Sequence, residues 1–360
     1  MDASKRLVSL DVFRGLTIAA MILVNFPGSW EAVCSPLEHG EWIGTTPADY
    51  IFPFFIFIVG ISITLSFEKQ IQKGLSKKQI KVKSVWRAVK IFGVGMALRL
   101  LPTLDFSRFE LPGVLQRIAL VFLACAFLFL FTDWKFQLFA GIGILVLYWI
   151  ALTYIPVPGI GPGVLEPGKN LANWMDSIVI PHQFLNKKGY DSEGFLSTFP
   201  AIVSGISGLL AGQLLRQNND RKIVALQLIA AGLLLVLLGN MFGMFFPVIK
   251  KIWTSSFVMV TSGWAFLVFA IIYWIIDIKE WKLGILPWIV FGSNAIAVYA
   301  LGDIFETLFL YSGMRGWAMN SLLGMKIHLK SASLIWAFFS VLTCFFTALF
   351  LYRKKIFIKL

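Results

Sequence analysis

Ile51-Phe52-Pro53-Phe54-Phe55-Ile56-Phe57-Ile58-Val59-Gly60-Ile61-Ser62-Ile63-Thr64-Leu65-Ser66-Phe67 carries no charge and only small polar side chains. With the residues just before it, the run 47–67 reaches the roughly 20 mostly apolar positions that a helix needs to cross a bilayer. Nine more stretches of this kind occupy 9–28, 86–102, 112–131, 136–154, 197–215, 223–240, 256–276, 285–308 and 331–352. Over all 360 residues, 58% are hydrophobic and only 14% charged. An average soluble domain has about 25% charged residues, and its surface needs that polar cover. Lipid removes the need. The sequence therefore predicts an all-α, polytopic membrane helix bundle of about ten transmembrane helices, organised as a single domain over 1–360.

Charge placement predicts orientation, because lysine and arginine concentrate on the cytoplasmic side of membrane proteins. With both termini cytoplasmic, the inner segments hold twenty of the 32 basic residues and the outer segments nine. Arg14, Arg99 and Arg117 fall within spans. The main inner loop is read as 69–85, with six lysines; the outer segments long enough to carry side-chain chemistry are 29–46, 155–196 and 309–330. Lys5 and Arg6 precede the first apolar run, as in a signal peptide. That run contains Asp11 and Arg14 and meets no small-residue cleavage site, so it reads as a retained first helix. The net charge of +13 belongs to this membrane asymmetry and calls for no nucleic-acid partner. Cys34, Cys125 and Cys344 form neither a disulfide framework nor a zinc spacing, and no metal is expected.

The three histidines, His39, His182 and His328, all map to the outer side. His39 lies in the short connection between the first two spans, flanked by Asn25 at the end of one helix and Asp49 at the start of the next. Two helices joined by a short loop are neighbours, so an amide, an imidazole and a carboxylate can converge there. In the ordinary alternative each has a local role. Asn25 ends a helix, Asp49 favours a first-turn dipole, and His39 is solvated. Asp11 and Arg14, spaced i, i+3, share a helix face and form either an interfacial ion pair or part of a site. Arg117 sits about one turn inside the fourth span. Asn294, Asp303 and Glu306 lie along the ninth; an Asn there can simply bond a neighbouring helix.

Five blocks resemble one family in order along the chain. They are Arg6-Leu7-x-Ser9-Leu10-Asp11-x-Phe13-Arg14-Gly15-Leu16-Thr17-Ile18, then Val24-Asn25-Phe26-Pro27-Gly28, Pro36-Leu37-Glu38-His39-Gly40-Glu41-Trp42-Ile43-Gly44, and Thr46-Pro47-Ala48-Asp49-Tyr50-Ile51-Phe52-Pro53-Phe54-Phe55, followed by Leu111-Pro112-Gly113-Val114-Leu115-Gln116-Arg117. Tyr190-Asp191-Ser192-Glu193-Gly194-Phe195-Leu196 extends the likeness. The chain is thus similar to the family of heparan-alpha-glucosaminide N-acetyltransferase and its bacterial relatives. The resemblance implies transfer of acetyl from cytosolic acetyl-CoA to the amino group of a glucosamine-type sugar across the membrane. It raises His39 to the essential histidine, as general base or as acetyl acceptor, with Asn25 and Asp49 as its catalytic neighbours. It implies acetyl-CoA around Asp11, Arg14 and Arg117, and an acceptor sugar near Asp49, Asn294 and Asp303.

As partners the reading names acetyl-CoA, an amino-sugar or glycan acceptor and membrane lipid, and it admits a homodimer. As location it names a prokaryotic plasma (inner) membrane. A membrane O-acyltransferase acting on envelope glycans is the related alternative. A solute transporter is the unrelated one; it predicts broken helices near the midplane and repeated halves.

Overall fold

The computed structural model describes residues 7–102, 105, 110–181, 184–185, 190–217 and 220–358. Lys5, Arg6, Arg108 and His182 fall outside the described residues. The quoted apolar run forms α2 (Ile51–Gln72), which follows a 3-10 turn at Pro47–Tyr50. Its neighbours in sequence are α1 (Val8–Asn25) and α3 (Lys77–Leu100), followed by α4 (Val114–Phe131), α5 (Trp134–Tyr154) and the short α6 (Leu171–Val179). Then come α7 (Thr198–Gln217), α8 (Arg221–Gly243), α9 (Ser255–Tyr273), α10 (Leu286–Ser293), α11 (Ala295–Tyr311), α12 (Met314–Gly324) and α13 (Leu329–Arg353). Among the described residues eight helices are long and apolar enough to cross a membrane: α1, α2, α4, α5, α7, α8, α9 and α13. The α10–α11 pair makes a ninth if counted as one bent span. The protein is a polytopic membrane helix bundle, as its apolar runs predicted.

Helices that are apolar all round satisfy their backbone internally and need not show one stripe, because lipid covers the remaining face. Burial sorts them. In α1 and α7, 67% and 72% of the span is buried, so they are central; in α5 only 22% is, so it is peripheral. Two central contacts are backbone to backbone. A Cβ on Gly60 of α2 would stand 2.1 Å from the Gly205 carbonyl oxygen of α7, and one on Gly292 of α10 would stand 2.1 Å from the Asp11 carbonyl oxygen of α1. Small residues permit such approach, which is how membrane helices gain packing without a hydrophobic drive between them.

Three sequence expectations are corrected here. The basic segment 69–85 is not a loop. α2 continues to Gln72, a turn with Gly74 at φ 84° follows, and α3 starts behind a Ser76–Gln79 capping box. Lysine is a good helix former, and the buried face Ile80, Ser84, Ala88, Ile91, Gly95 repeats every three to four residues beneath the lysines. The third span, 86–102, is the second half of this helix. The ninth span, 285–308, bends by 83° between Ser293 and Ala295. The segments read as open outer loops contain α6 and α12.

Candidate active site

Asp49 organises one end of the bundle. It is 1% exposed and sits in the turn that starts α2. Its Oδ2 accepts the Thr46 backbone N–H (2.9 Å) and the Gly40 N–H (3.0 Å), and the Thr46 hydroxyl beside it donates to the Glu38 carbonyl (2.6 Å). This folds the chain 40–46 back over the helix start and satisfies donors a helix N-terminus leaves open. Its Oδ1 meets two side chains: His39 Nδ1 lies 2.8 Å away and Lys250 Nζ 3.0 Å away. The same ammonium is 3.0 Å from His39 Nδ1, closing a triangle of imidazole, carboxylate and amine. Asp49 thus closes the turn with one oxygen and faces His39 with the other.

Lys250 comes from the segment between α8 and α9, which is built as a support. Gly44, at φ 92°, donates its N–H to the Val248 carbonyl (2.8 Å) and bridges to Ile249. Lys251 donates to the Glu41 carbonyl (2.6 Å) and lies over the rings of Trp42 and Tyr190. The Trp42 indole donates to the Leu165 carbonyl (2.8 Å). Three segments distant in sequence thus fix the histidine loop. Burial lowers the Lys250 ammonium from its usual range, and Asp49 pulls the other way.

Arg117 is 1% exposed and belongs to this same end. Its Nη2 donates to the Ser197 hydroxyl (2.5 Å) and the Gly194 carbonyl (3.2 Å), and its guanidinium lies 4.9 Å over the Trp253 ring. Nε and Nη1 have no hydrogen-bond partner among the described residues. Around it stand Glu193, Asp191 and Asp176. Burial raises the carboxyls of Asp191 and Glu193, which Arg117 opposes. Asp176 of α6 is pushed up to about 6, again by burial, although it accepts the Phe195 (2.7 Å) and Leu196 (3.3 Å) N–H groups.

The other sequence candidates divide between the two ends. Asn25 closes α1 at the His39 end and has the Tyr299 hydroxyl as its hydrogen-bonding neighbour. Asp303 lies near Arg99 and Glu306 on the same side of α11, and Glu306 pairs with Arg315 (2.5 Å). Asp11 and Arg14 form their expected pair (3.4 Å) at the opposite end, where Arg14 also bonds Ser62 (2.8 Å) and the Gly292 carbonyl (3.3 Å). Arg117 is therefore not their neighbour. Nor is Asn294 near His39. It follows Gly292, which packs on Asp11, and its amide holds the C-terminal tail by bonds to Ile356 (2.9 Å) and Ile358 (2.8 Å). His328 caps α13.

Sequence reasoning missed Lys250, Thr46, Trp253 and Glu193 as site residues. One signal existed. Lys250 and Lys251 fall in a segment that the charge bias predicts to be outer and so poor in lysine.

Fold and site define a polytopic membrane protein in which a buried carboxylate holds a half-buried histidine and lysine at one end of the bundle. A family model described as heparan-alpha-glucosaminide N-acetyltransferase, catalytic, matches residues 6–245. The chain belongs to this family. It is 29% identical to the mouse heparan-alpha-glucosaminide N-acetyltransferase over 420 residues, which takes in 100% of the chain and 61% of that relative. It is 30% identical to the human protein of the same name over 419 residues, or 99% of the chain and 60% of the relative. The chain thus spans about three fifths of the length of these curated relatives. Both are mammalian, which overturns the expected prokaryotic plasma membrane; what stands is a polytopic membrane protein. His39, Asp49, Arg117 and Glu193 lie inside the family match, and Lys250 lies just beyond it.

Proposed function

We propose that the chain is a transmembrane N-acetyltransferase that moves acetyl from acetyl-CoA to the amino group of a glucosamine-type sugar. The observation that carries the reading is the His39–Asp49 contact of 2.8 Å on a loop within the family match. Amide formation from a thioester needs a neutral amine, a base for its proton, and donors for the tetrahedral oxyanion. Nδ1 of His39 is engaged, which leaves Nε2 to face the acceptor. The amine nitrogen attacks the thioester carbonyl as Nε2 takes its proton. The tetrahedral intermediate then breaks its C–S bond, and the imidazolium returns the proton to the departing thiolate. Asp49 orients the ring. Asn25, beside Tyr299, supplies a donor at the thioester, and Asp303 contributes to holding the acceptor.

The donor enters from the other end. Asp11 and Asn25 are fourteen residues apart on α1, about 21 Å at 1.5 Å per residue. The nucleotide part of acetyl-CoA docks around Asp11, Arg14 and the lysines of α3, and its pantetheine arm reaches along α1 towards His39. Both termini then lie on the cytosolic, acetyl-CoA side. Arg117 leaves the donor-binding group and serves the His39 end. A transporter reading, with Asp11, Arg14 and Arg117 lining a pathway, would also claim the bend at Asn294. Its amide is occupied by the C-terminal tail, so it gives that reading no open polar pathway.

The test is release of free CoA by the purified protein given acetyl-CoA and glucosamine. His39→Ala should lower the rate by about 100-fold or more while the protein stays folded; an unchanged rate removes His39 from the chemistry. Incubation with acetyl-CoA alone should leave His39 unmodified. An acetyl-histidine adduct would replace the base mechanism with a covalent one.

A further inference from the structure

We propose that Lys250 is a positioning residue that neutralises Asp49 and so holds His39 as a neutral imidazole with Nε2 free. The inference rests on the acetyl-transfer reading for its purpose, but its geometry stands apart from it. Asp49 Oδ2 already accepts two backbone N–H groups. Only Oδ1 faces the histidine, and there it meets Nδ1 and the lysine ammonium at 2.8 and 3.0 Å.

Nδ1 holds either one hydrogen or one lone pair. With a hydrogen, it donates to Asp49, and Nε2 keeps its lone pair. With a lone pair, it accepts from Lys250 at 3.0 Å, and Nε2 carries the hydrogen and cannot act as a base. Either bond would be charge-assisted, through the carboxylate in one and the ammonium in the other, but the contact with Oδ1 is the shorter, 2.8 Å against 3.0 Å. Nδ1–H therefore goes to Oδ1, and the ammonium also donates to Oδ1. Lys250 decides the charge as well. A buried carboxylate beside a lone histidine favours imidazolium, which could not take a proton from an amine. Here the ammonium supplies the positive charge first, and a second cation on the ring would lie 3.0 Å from it.

The remaining charged groups near the triangle do not reproduce this. Lys251 is turned to the Glu41 carbonyl and the Trp42 and Tyr190 rings. Glu38 and Glu41 are exposed on the loop itself. Glu193, from the segment before α7, acts on Lys250 and reinforces its charge. The backbone that carries Lys250 is fixed: its carbonyl accepts the Trp253 N–H (2.9 Å), and Trp253 is held at φ 51°.

The chain has only three histidines, so the imidazole signals of histidine-labelled protein can be followed by NMR in detergent, with His39 assigned by its loss in H39N. The expected result is that His39 titrates at least one pH unit higher in Lys250→Met than in the wild-type protein. Lys250→Arg should return it to within a few tenths of a unit. Lys250→Gln, uncharged but polar, should shift like the Met variant and serves if that one does not fold. Equal titration in wild type and the uncharged variant would overturn the proposal. This reads protonation directly, so it stands whether or not the protein transfers acetyl. In the CoA-release assay, the acid limb of the pH–rate profile should move up with the NMR titration. A purely structural lysine would lower the rate equally at every pH.

Discussion

At the residue scale, Asp49 joins folding to the proposed chemistry. One oxygen closes the turn into α2, and the other serves His39 and Lys250. Asp49→Asn keeps an acceptor for the turn but turns an amide donor towards an ammonium. The rate should fall by about 100- to 10,000-fold. Stability should fall by about 3–5 kcal/mol, the usual cost of breaking one side of a buried ion pair. Thermal unfolding in detergent checks the second figure, and CoA release the first; a variant with wild-type values in both would separate Asp49 from the site. Much of this was legible in sequence, because Asn25, His39 and Asp49 flank one short loop. Lys250 was not, since its 201-residue separation from Asp49 hides a contact that only tertiary folding makes.

At the scale of elements, glycine contacts set how close the central helices come. Gly292→Ala would put a methyl 2.1 Å from the Asp11 carbonyl oxygen, a backbone atom that cannot rotate away. The α1–α10 pair must then separate, costing about 1–3 kcal/mol, read as a lower unfolding temperature; an unchanged one would mean the contact is looser than the geometry gives. α6 makes a different prediction. Asp176, pushed up to about 6, would titrate near 3.9 in an unfolded chain. A raised carboxyl stabilises the fold fully below the unfolded value and loses that contribution as pH rises through about 6. Ionised above that, it costs up to about 3 kcal/mol. Asp176→Asn should therefore flatten the fall in unfolding temperature between about pH 4 and about pH 7, and an unaltered slope would place the pH dependence elsewhere. Sequence patterning found the spans because lipid-facing helices advertise themselves by apolarity alone. It ran across the 83° bend at Asn294 because both sides of the bend are apolar. It mistook the start of α3 for a loop because lysines mask a face with helical spacing.

At the scale of the molecule, the candidate residues separate to two ends joined by α1: Asp11 and Arg14 at one, and Asn25, His39, Asp49, Lys250 and Arg117 at the other. The sequence grouped Arg117 with Asp11 and Arg14 because a linear reading ranks intramembrane charges by kind and not by depth. On the proposed reading, the bundle carries only an acetyl group between its ends. Net transfer then has a direction. The most direct measurement uses sealed vesicles sorted for one orientation, with labelled acetyl-CoA outside and glucosamine trapped inside. With the Asp11 end outward, labelled N-acetylglucosamine should accumulate in the lumen and fail to do so in His39→Ala. Product formed only when donor and acceptor share one compartment would contradict the account.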